Sequence, residues 1–321
     1  MSGPAASFSY GIRSPHEDEV DEIVDLMNAC SLVDIGVPDT SREDLLRWWR
    51  RQRFDLSRDA WVAEAGDGRL VGANEVAVEG NEGDLRIDGY THPDFLGRGI
   101  GSRLADAAER RAISLAADRG FRLPVEVLHG VWSGTEGSRF LEARGYAWKR
   151  CFIRMRAQMD EPPSEPVWPD GIVVAGFERG RDEPLFHASM EEAFQDHWRW
   201  TATPLDEWVQ LMIEHNEAFD GSLWFRAMDG DQVAGAIIAR PRTVEDPDAG
   251  WIEDLAVRRP WRRRGIGLAL LQHAFGALYR RGLRAALLGV DAESPTGATR
   301  LYERVGMREV RRIDVYGKTF T

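Results

Sequence analysis

Trp251-Ile252-Glu253-Asp254-Leu255-Ala256-Val257, then Arg258-Arg259-Pro260-Trp261, then Arg262-Arg263-Arg264-Gly265-Ile266-Gly267 is the stretch on which the fold is decided. An apolar-rich strand over 251–257 runs into a tight glycine turn, and the turn opens a helix over 265–281. In that helix Ile266, Leu270 and Ala274 share one face, with Leu271, Phe275 and Leu278 beside it, and Gly282 supplies the stop. The first N–H groups of a helix have no internal partner and lie at the positive end of its dipole, so such a start binds anions. Glycines let the backbone approach a phosphate closely. Arg258, Arg259, Arg262, Arg263 and Arg264 add positive charge at the same place. A Walker loop is absent. The third glycine of a dinucleotide fingerprint is replaced by Leu270. The stretch therefore predicts a small phosphate-bearing ligand.

The same pattern occurs twice. Gly99-Ile100-Gly101 precedes Gly265-Ile266-Gly267 by 166 residues, and Ile87-Asp88 stands before the first where Glu253-Asp254 stands before the second. Arg139-Phe140-Leu141-Glu142-Ala143-Arg144-Gly145 matches Arg300-Leu301-Tyr302-Glu303-Arg304-Val305-Gly306 at an offset of 161. A period this long indicates two copies of one domain, not a solenoid. Glu161-Pro162-Pro163-Ser164-Glu165-Pro166 cannot join a sheet or helix. The expected division is a first domain over 1–160, a linker over 161–169 and a second domain over 170–321. The second half reads as strands over 172–175, 223–228, 233–240, 251–257, 285–290 and 310–315, with helices over 181–194, 204–215, 265–281 and 295–305. Helices of the first half read as 16–30, 42–53, 99–119 and 136–144. This is an α/β order, repeated.

The 321 residues carry 41 Lys+Arg against 53 Asp+Glu, a net charge of −12, which argues against a nucleic-acid or anionic-membrane partner. The two cysteines, Cys30 and Cys151, match no metal spacing and no disulfide framework, so a reducing, cytoplasmic setting is expected. No apolar run reaches membrane-spanning length and no signal pattern opens the chain.

Arg-x-x-Gly-x-Gly after a strand ending Leu255-Ala256-Val257 resembles the pyrophosphate loop of the GNAT superfamily of N-acetyltransferases. Val290-Asp291-Ala292, followed by Gly297-Ala298-Thr299-Arg300-Leu301-Tyr302-Glu303-Arg304-Val305-Gly306-Met307, is similar to that family's block at the cofactor thiol end. The resemblance covers nearly the whole chain, once per half, an arrangement like that of mycothiol synthase. Ser294 departs from the pattern, which often has Asn after that strand. The resemblance implies two tandem domains, each a mixed, mostly antiparallel sheet flanked by helices. It implies acetyl-CoA as cofactor, bound by Leu255, Ala256, Val257, Arg262, Arg263, Arg264, Gly265, Ile266, Gly267 and Leu268. A small-molecule amine is the implied acceptor, and the protein is expected to be a monomer or homodimer.

Acetyl transfer needs a base, because an alkyl amine with a pKa near that of Lys, about 10.4, is protonated at neutral pH. Glu253 and Asp254 are adjacent on a strand and point to opposite faces, so one faces the acceptor. The resemblance favours Glu253 as base, with Asp254 the alternative. It also implies that the Leu255 backbone N–H holds the oxyanion, that Val257 pairs with the pantetheine arm, and that Tyr302 donates to the leaving sulfur. Phe194, Asp196, His197, Trp198 and Trp200 are the candidate acceptor pocket, the tryptophans to box a substrate and Asp196 to hold an ammonium. His273 reads as structural.

In the first half Ile87 stands for Glu253, Leu96 for Arg262 and Leu141 for Tyr302, so a structural role is expected there. Arg98, Gly99 and Gly101 leave a weak second cofactor site open. Two other functions fit the sequence: acetylation of a protein or peptide amine, and a non-catalytic acyl-CoA sensor. The second would dispense with Glu253 and Tyr302.

Overall fold

The structure, a computed structural model, describes residues 9–79 and 84–321. The chain forms two compact units.

The first unit contains β1 (Tyr10–Arg13), α1 (Val20–Ile35), α2 (Arg42–Trp49), the short α3 (Leu56–Asp59), β2 (Ala60–Ala65), β3 (Leu70–Glu79), β4 (Asp84–Thr91), α4 (Ile100–Asp118), β5 (Val125–Trp132) and α5 (Glu136–Ala143). Strands β1 to β4 pair antiparallel in chain order, and β4 then pairs parallel with β5. On one face Val62 and Ala73 pack under Val20, Ile23 and Leu45 of α1 and α2. On the other, Ala63 and Val71 pack under Ile100 and Leu104 of α4.

The second unit contains β6 (Ala147–Gln158), β7 (Ile172–Gly176), α6 (Glu183–Phe194), α7 (Leu205–Val209), β8 (Trp224–Asp229), β9 (Gln232–Arg240), β10 (Ala249–Val257), α8 (Ile266–Arg280), β11 (Ala285–Asp291), α9 (Ala298–Arg304) and β12 (Arg308–Phe320). Its strand order is β6-β11-β10-β9-β8-β7, antiparallel except for β10 beside β11. Ile237, Ile252, Leu270 and Phe275 fill the α8 side. Phe186, Trp208, Trp224 and Ile238 fill the α6 side. Each unit is thus a mixed, mostly antiparallel sheet flanked by helices.

Several boundaries differ from the sequence reading. The division between units does not fall at 161–169: residues 131–134 and 148–315 belong to the second unit and 316–321 to the first, so it cuts β5 after residue 130 and β12 after residue 315. The cause is β6, whose Ile153, Met155 and Ala157 are buried in the second unit's core and which pairs with β11 from Phe152↔Asp291 to Gln158↔Ala285. Tyr316 and Lys318 bond to Glu142 and to the Arg144 carbonyl in the first unit. The helix expected over 204–215 ends as α7 at Val209, and the chain widens into a π-turn over Gln210–Glu214, where the His215 N–H reaches the Gln210 carbonyl at 2.8 Å. The helix expected from 295 starts at Ala298, because Gly297 takes a φ of 68° and breaks the approach.

Candidate active site

Strands β10 and β11 run side by side only at Ala249↔Ala285, Gly250↔Ala286 and Trp251↔Leu287, and beyond that they part. From Asp254 to Val257, β10 is paired on its β9 side alone. The Arg258 N–H bonds to the Ala234 carbonyl of β9 at 3.0 Å. Successive N–H groups alternate in direction along an extended strand, so those of Val257 and Leu255 point into the gap. The gap is therefore a slot edged by backbone donors.

The glycine loop closes one end of the slot. Arg263 and Gly265 both lie in the left-handed region, with φ of 63° and 93°. Arg263 is a non-glycine there, a strained conformation of the kind found at ligand clamps. Helix α8 starts at Ile266 with no side chain capping it, which leaves its first-turn N–H groups, those of Ile266, Gly267 and Leu268, as anion donors. A Cβ on Gly267 would lie 3.1 Å from Leu301 and 3.5 Å from Val257, so glycine keeps α8 close to β10 and α9. These residues fit a phosphate-bearing cofactor.

The arginines are less available than their number suggests. Arg258 pairs with Glu192, Arg259 with Asp196, and Arg264 with Asp229. Arg262 spans three acceptors: Asp196 at 2.7 Å, the Val257 carbonyl at 3.1 Å and the Ala193 carbonyl at 3.0 Å. Among the described residues, Arg263 is the one of the five that makes no ion pair. Arg262 thus ties the loop to the end of α6 in addition to any phosphate contact. Asp196, the candidate ammonium holder, is its counter-ion: hydrogen bonds from Arg259 and Arg262 hold its carboxyl down to about 2.

At the other end of the slot β10 carries a β-bulge. Ile252 stands opposite Ala239 and Asp254 opposite Ile238, so Glu253 has no opposite residue. Glu253 turns to Arg240, forming an ion pair at 2.8 Å. Asp254 shares a face with Ile238 and Ala256, both buried against the α6 helix layer. Burial first, and then the neighbouring Glu253 charge, push its carboxyl up to about 7. A carboxyl poised near neutrality is what a general base at pH 7 requires. Tyr302 of α9 is buried among the residues packed with Leu255 and Val257. Burial, and then the Asp254 charge, raise its hydroxyl to about 12, so it keeps its proton.

The candidate acceptor residues follow α6. Phe194 and His197 pack edge to face at 4.4 Å, and burial pushes the His197 pKa down. Trp198 lies 6.3 Å from Phe152 and 5.9 Å from the Arg150 guanidinium. Trp200 is half-buried, its N–H bonded to the His197 carbonyl. Phe152 and Arg150, which sequence reasoning missed, come from β6, and Arg150 is anchored on the buried Asp291 at 2.7 Å. The alternation of β6 was the readable signal. His273 is packed between Phe225 at 4.5 Å and Trp168 at 6.0 Å.

The first unit repeats the frame with other side chains. Strands β4 and β5 pair at Leu85↔Val127 and Arg86↔Leu128 and then part. Gly99 and the uncapped start of α4 form the same turn. A Cβ on Gly101 would come within 3.2 Å of Thr91. Ile87 and Leu141 are buried and Leu96 is exposed. Arg98 bonds to the Asp94 carbonyl and lines an open cavity of about 480 Å³ with Arg69, Asp67 and Phe95.

Comparisons with known proteins place the chain in a family. The acetyltransferase (GNAT) family model matches residues 20–128 and 185–307, most of the chain and once per unit. The chain belongs to the GNAT acetyltransferase family. It is a tandem member, of the mycothiol synthase type. It is 32% identical over 255 residues to a mycothiol acetyltransferase of Geodermatophilus obscurus, covering 76% of this chain and 77% of that protein. It is 31% identical over 310 residues to one of Thermomonospora curvata, covering 95% of both. Among solved structures, a GCN5-related N-acetyltransferase from Sphaerobacter thermophilus superposes with a TM-score of 0.78 at 34% identity, covering 97% of this chain and 95% of that one. A tandem GNAT protein from the clavulanic acid biosynthesis pathway shares the fold, with a TM-score of 0.69 at 18% identity and 98% coverage of each. The protein is an acetyl-CoA-dependent N-acetyltransferase.

Proposed function

We propose that the second unit carries out the acetyl transfer, to a primary amine of a small molecule, and that the first unit is a degenerate copy. The observation that supports this most is that one slot has a glycine-loop helix start at one end and both Asp254 and Tyr302 at the other. The first slot offers Asp88 but has Leu141 in place of the tyrosine. Relatives named mycothiol acetyltransferase support a small-molecule amine over a protein substrate.

Acetyl-CoA, when bound, supplies an acyl thioester. The loop N–H groups from Arg263 to Leu268 and the Arg263 side chain would hold its phosphates, with Arg262 fixing the loop. The Leu255 N–H is a preorganised donor for developing oxyanion charge, the kind of contact worth several kcal/mol. Asp254 takes a proton from the acceptor ammonium. Glu253, the residue the resemblance favoured, acts beside it, its charge raising the proton affinity of Asp254 while the ion pair with Arg240 fixes its side chain. Tyr302 holds a proton at Oη for the departing thiolate. Phe194, His197, Trp198 and Trp200 wall the acceptor side. The first glycine loop, Arg98 to Gly101, retains weak cofactor binding.

Among the described residues no helix is long and apolar enough to cross a membrane. We place the enzyme in the cytoplasm, with Cys30 and Cys151 both as free thiols. The test is an amine panel assayed with acetyl-CoA for thiol release and for an acetylated product. Turnover of small amines, with peptides inert, supports the reading; turnover of peptides alone overturns it.

A further inference from the structure

The two units differ on the face of the sheet that packs under α1 and α2 in the first and under α6 in the second, near the aspartate they share. In the second unit Asp254 stands opposite Ile238, and two residues on is Ala256. In the first, Asp88 stands opposite Glu75, and two residues on is Tyr90. Two aliphatic positions of one copy are thus a carboxyl and a phenol in the other. Two like charges directly opposite on neighbouring strands are destabilising, and buried polar groups are costly unless matched. Packing alone gives no reason for this exchange.

Between these side chains and the helices lies a cavity of about 20 Å³, lined by Ile23, Met27, Trp49, Glu75, Asp88 and Tyr90. That volume holds one water-sized group. Its walls combine two carboxyls with three aromatic rings, Trp49, Trp61 and Tyr90, the combination that recognises an organic cation. We propose that this cavity is a binding site for the primary ammonium group of a small amine, held without chemistry because Leu141 replaces the tyrosine of the second unit.

The charges around Glu75 fit this occupant. Trp49 Nε1 donates to its carboxyl at 3.2 Å. Asp88 faces it from β4 and is paired at 2.8 Å with Arg86. Arg51, just beyond α2, is the other nearby cation. Arg51 and Arg86 lie 3.6 and 5.6 Å from the ring of Trp48, which does not line the cavity. Burial first, and then the Asp88 charge, raise the Glu75 carboxyl to about 8, so at neutral pH a proton relieves the repulsion. An ammonium between Glu75 and Asp88 would replace that proton. Among the described residues no group of three or more metal-ligand side chains is assembled, and the aromatic walls favour an alkyl ammonium over a metal ion.

The test is calorimetric titration of the full chain with methylammonium chloride at constant ionic strength. Two buffers of different ionisation enthalpy count the protons. About one proton should be released per amine bound at pH 7. Affinity should rise about tenfold from pH 6 to 7 and level off above about 8, because below that value the ligand must displace a proton. Glu75→Gln, which retains the shape and an acceptor for Trp49, should weaken binding at least tenfold and abolish the release. Both are read in the Asp254→Asn background, which removes the second unit's amine-facing carboxyl, so that the response belongs to the first unit. Potassium and tetramethylammonium chloride should give no matching heat. No methylammonium binding, an affinity flat across this pH range, unchanged binding in Glu75→Gln, or an equal response to tetramethylammonium would each overturn the proposal. The pH slope in the Asp254→Asn background decides the matter even if Glu75→Gln fails to fold, and none of these results depends on acetyl transfer.

Discussion

Replacing Asp254 by Asn separates a base from a buried structural carboxyl, because the two roles predict opposite signs for stability. The carboxyl is raised from 3.8 to about 7, roughly 3 pH units, by burial and by Glu253. At about 1.4 kcal/mol per unit this corresponds to roughly 4 kcal/mol lost on ionising the group in the folded state. A carboxyl raised on folding binds protons more tightly in the native state, so stability falls as pH rises from about 4 to about 7 and is level above that. Asn removes this cost. Asp254 is partly exposed and the new amide needs partners of its own, so a gain of about 1–2 kcal/mol at pH 8 is expected, vanishing below pH 4. Turnover should move the other way, falling about 10²-fold or more at pH 7. The native kcat/KM should fall tenfold per unit below about pH 7, and the Asp254→Asn variant should lose that limb. Denaturant unfolding at pH 4 and pH 8, with steady-state kinetics across the range, measures both. Native turnover in the variant, or a destabilisation at pH 8 with turnover lost only in proportion to unfolding, would refute the reasoning.

Glu253→Gln removes the neighbouring charge that raises Asp254, so the acid limb of the pH–rate profile should move to lower pH with turnover at pH 7 reduced less than tenfold; a larger loss than in Asp254→Asn would return the base role to Glu253. Tyr302→Phe should lower kcat with little change in acetyl-CoA affinity, seen by comparing turnover with equilibrium binding, because the hydroxyl is needed as the thiolate leaves. Arg262→Ala unties Asp196 and two backbone carbonyls, so it should weaken acetyl-CoA binding and lower stability together, by about 1–3 kcal/mol for the unsatisfied groups in a denaturant titration.

What was legible in the sequence was whatever local pattern decides. The helix α8 and its glycine start, the strand β10 before it and the position of Tyr302 on α9 all follow from spacing within about 50 residues. What was not legible depends on pairing. The bulge at Glu253 exists only in register with β9, where Ala239 and Ile238 take Ile252 and Asp254. It turns Glu253 onto Arg240, a residue with no motif to mark it. The arginine run looked like free charge because its partners Glu192, Asp196 and Asp229 lie 35 to 66 residues away in sequence. The proline-rich 161–169 looked like a domain boundary because β6, which precedes it, finds its partner β11 more than 120 residues later.

The central claim is that chemistry belongs to the second slot, and paired loop variants test it most directly. Gly265 and Gly99 both hold left-handed turns, with φ of 93° and 78°, so Glu at either strains the loop and places a negative charge at the phosphate site. Turnover of acetyl-CoA with an accepted amine should be lost in Gly265→Glu and largely kept in Gly99→Glu, with both variants folded by circular dichroism. Loss in Gly99→Glu with Gly265→Glu still active would contradict the account.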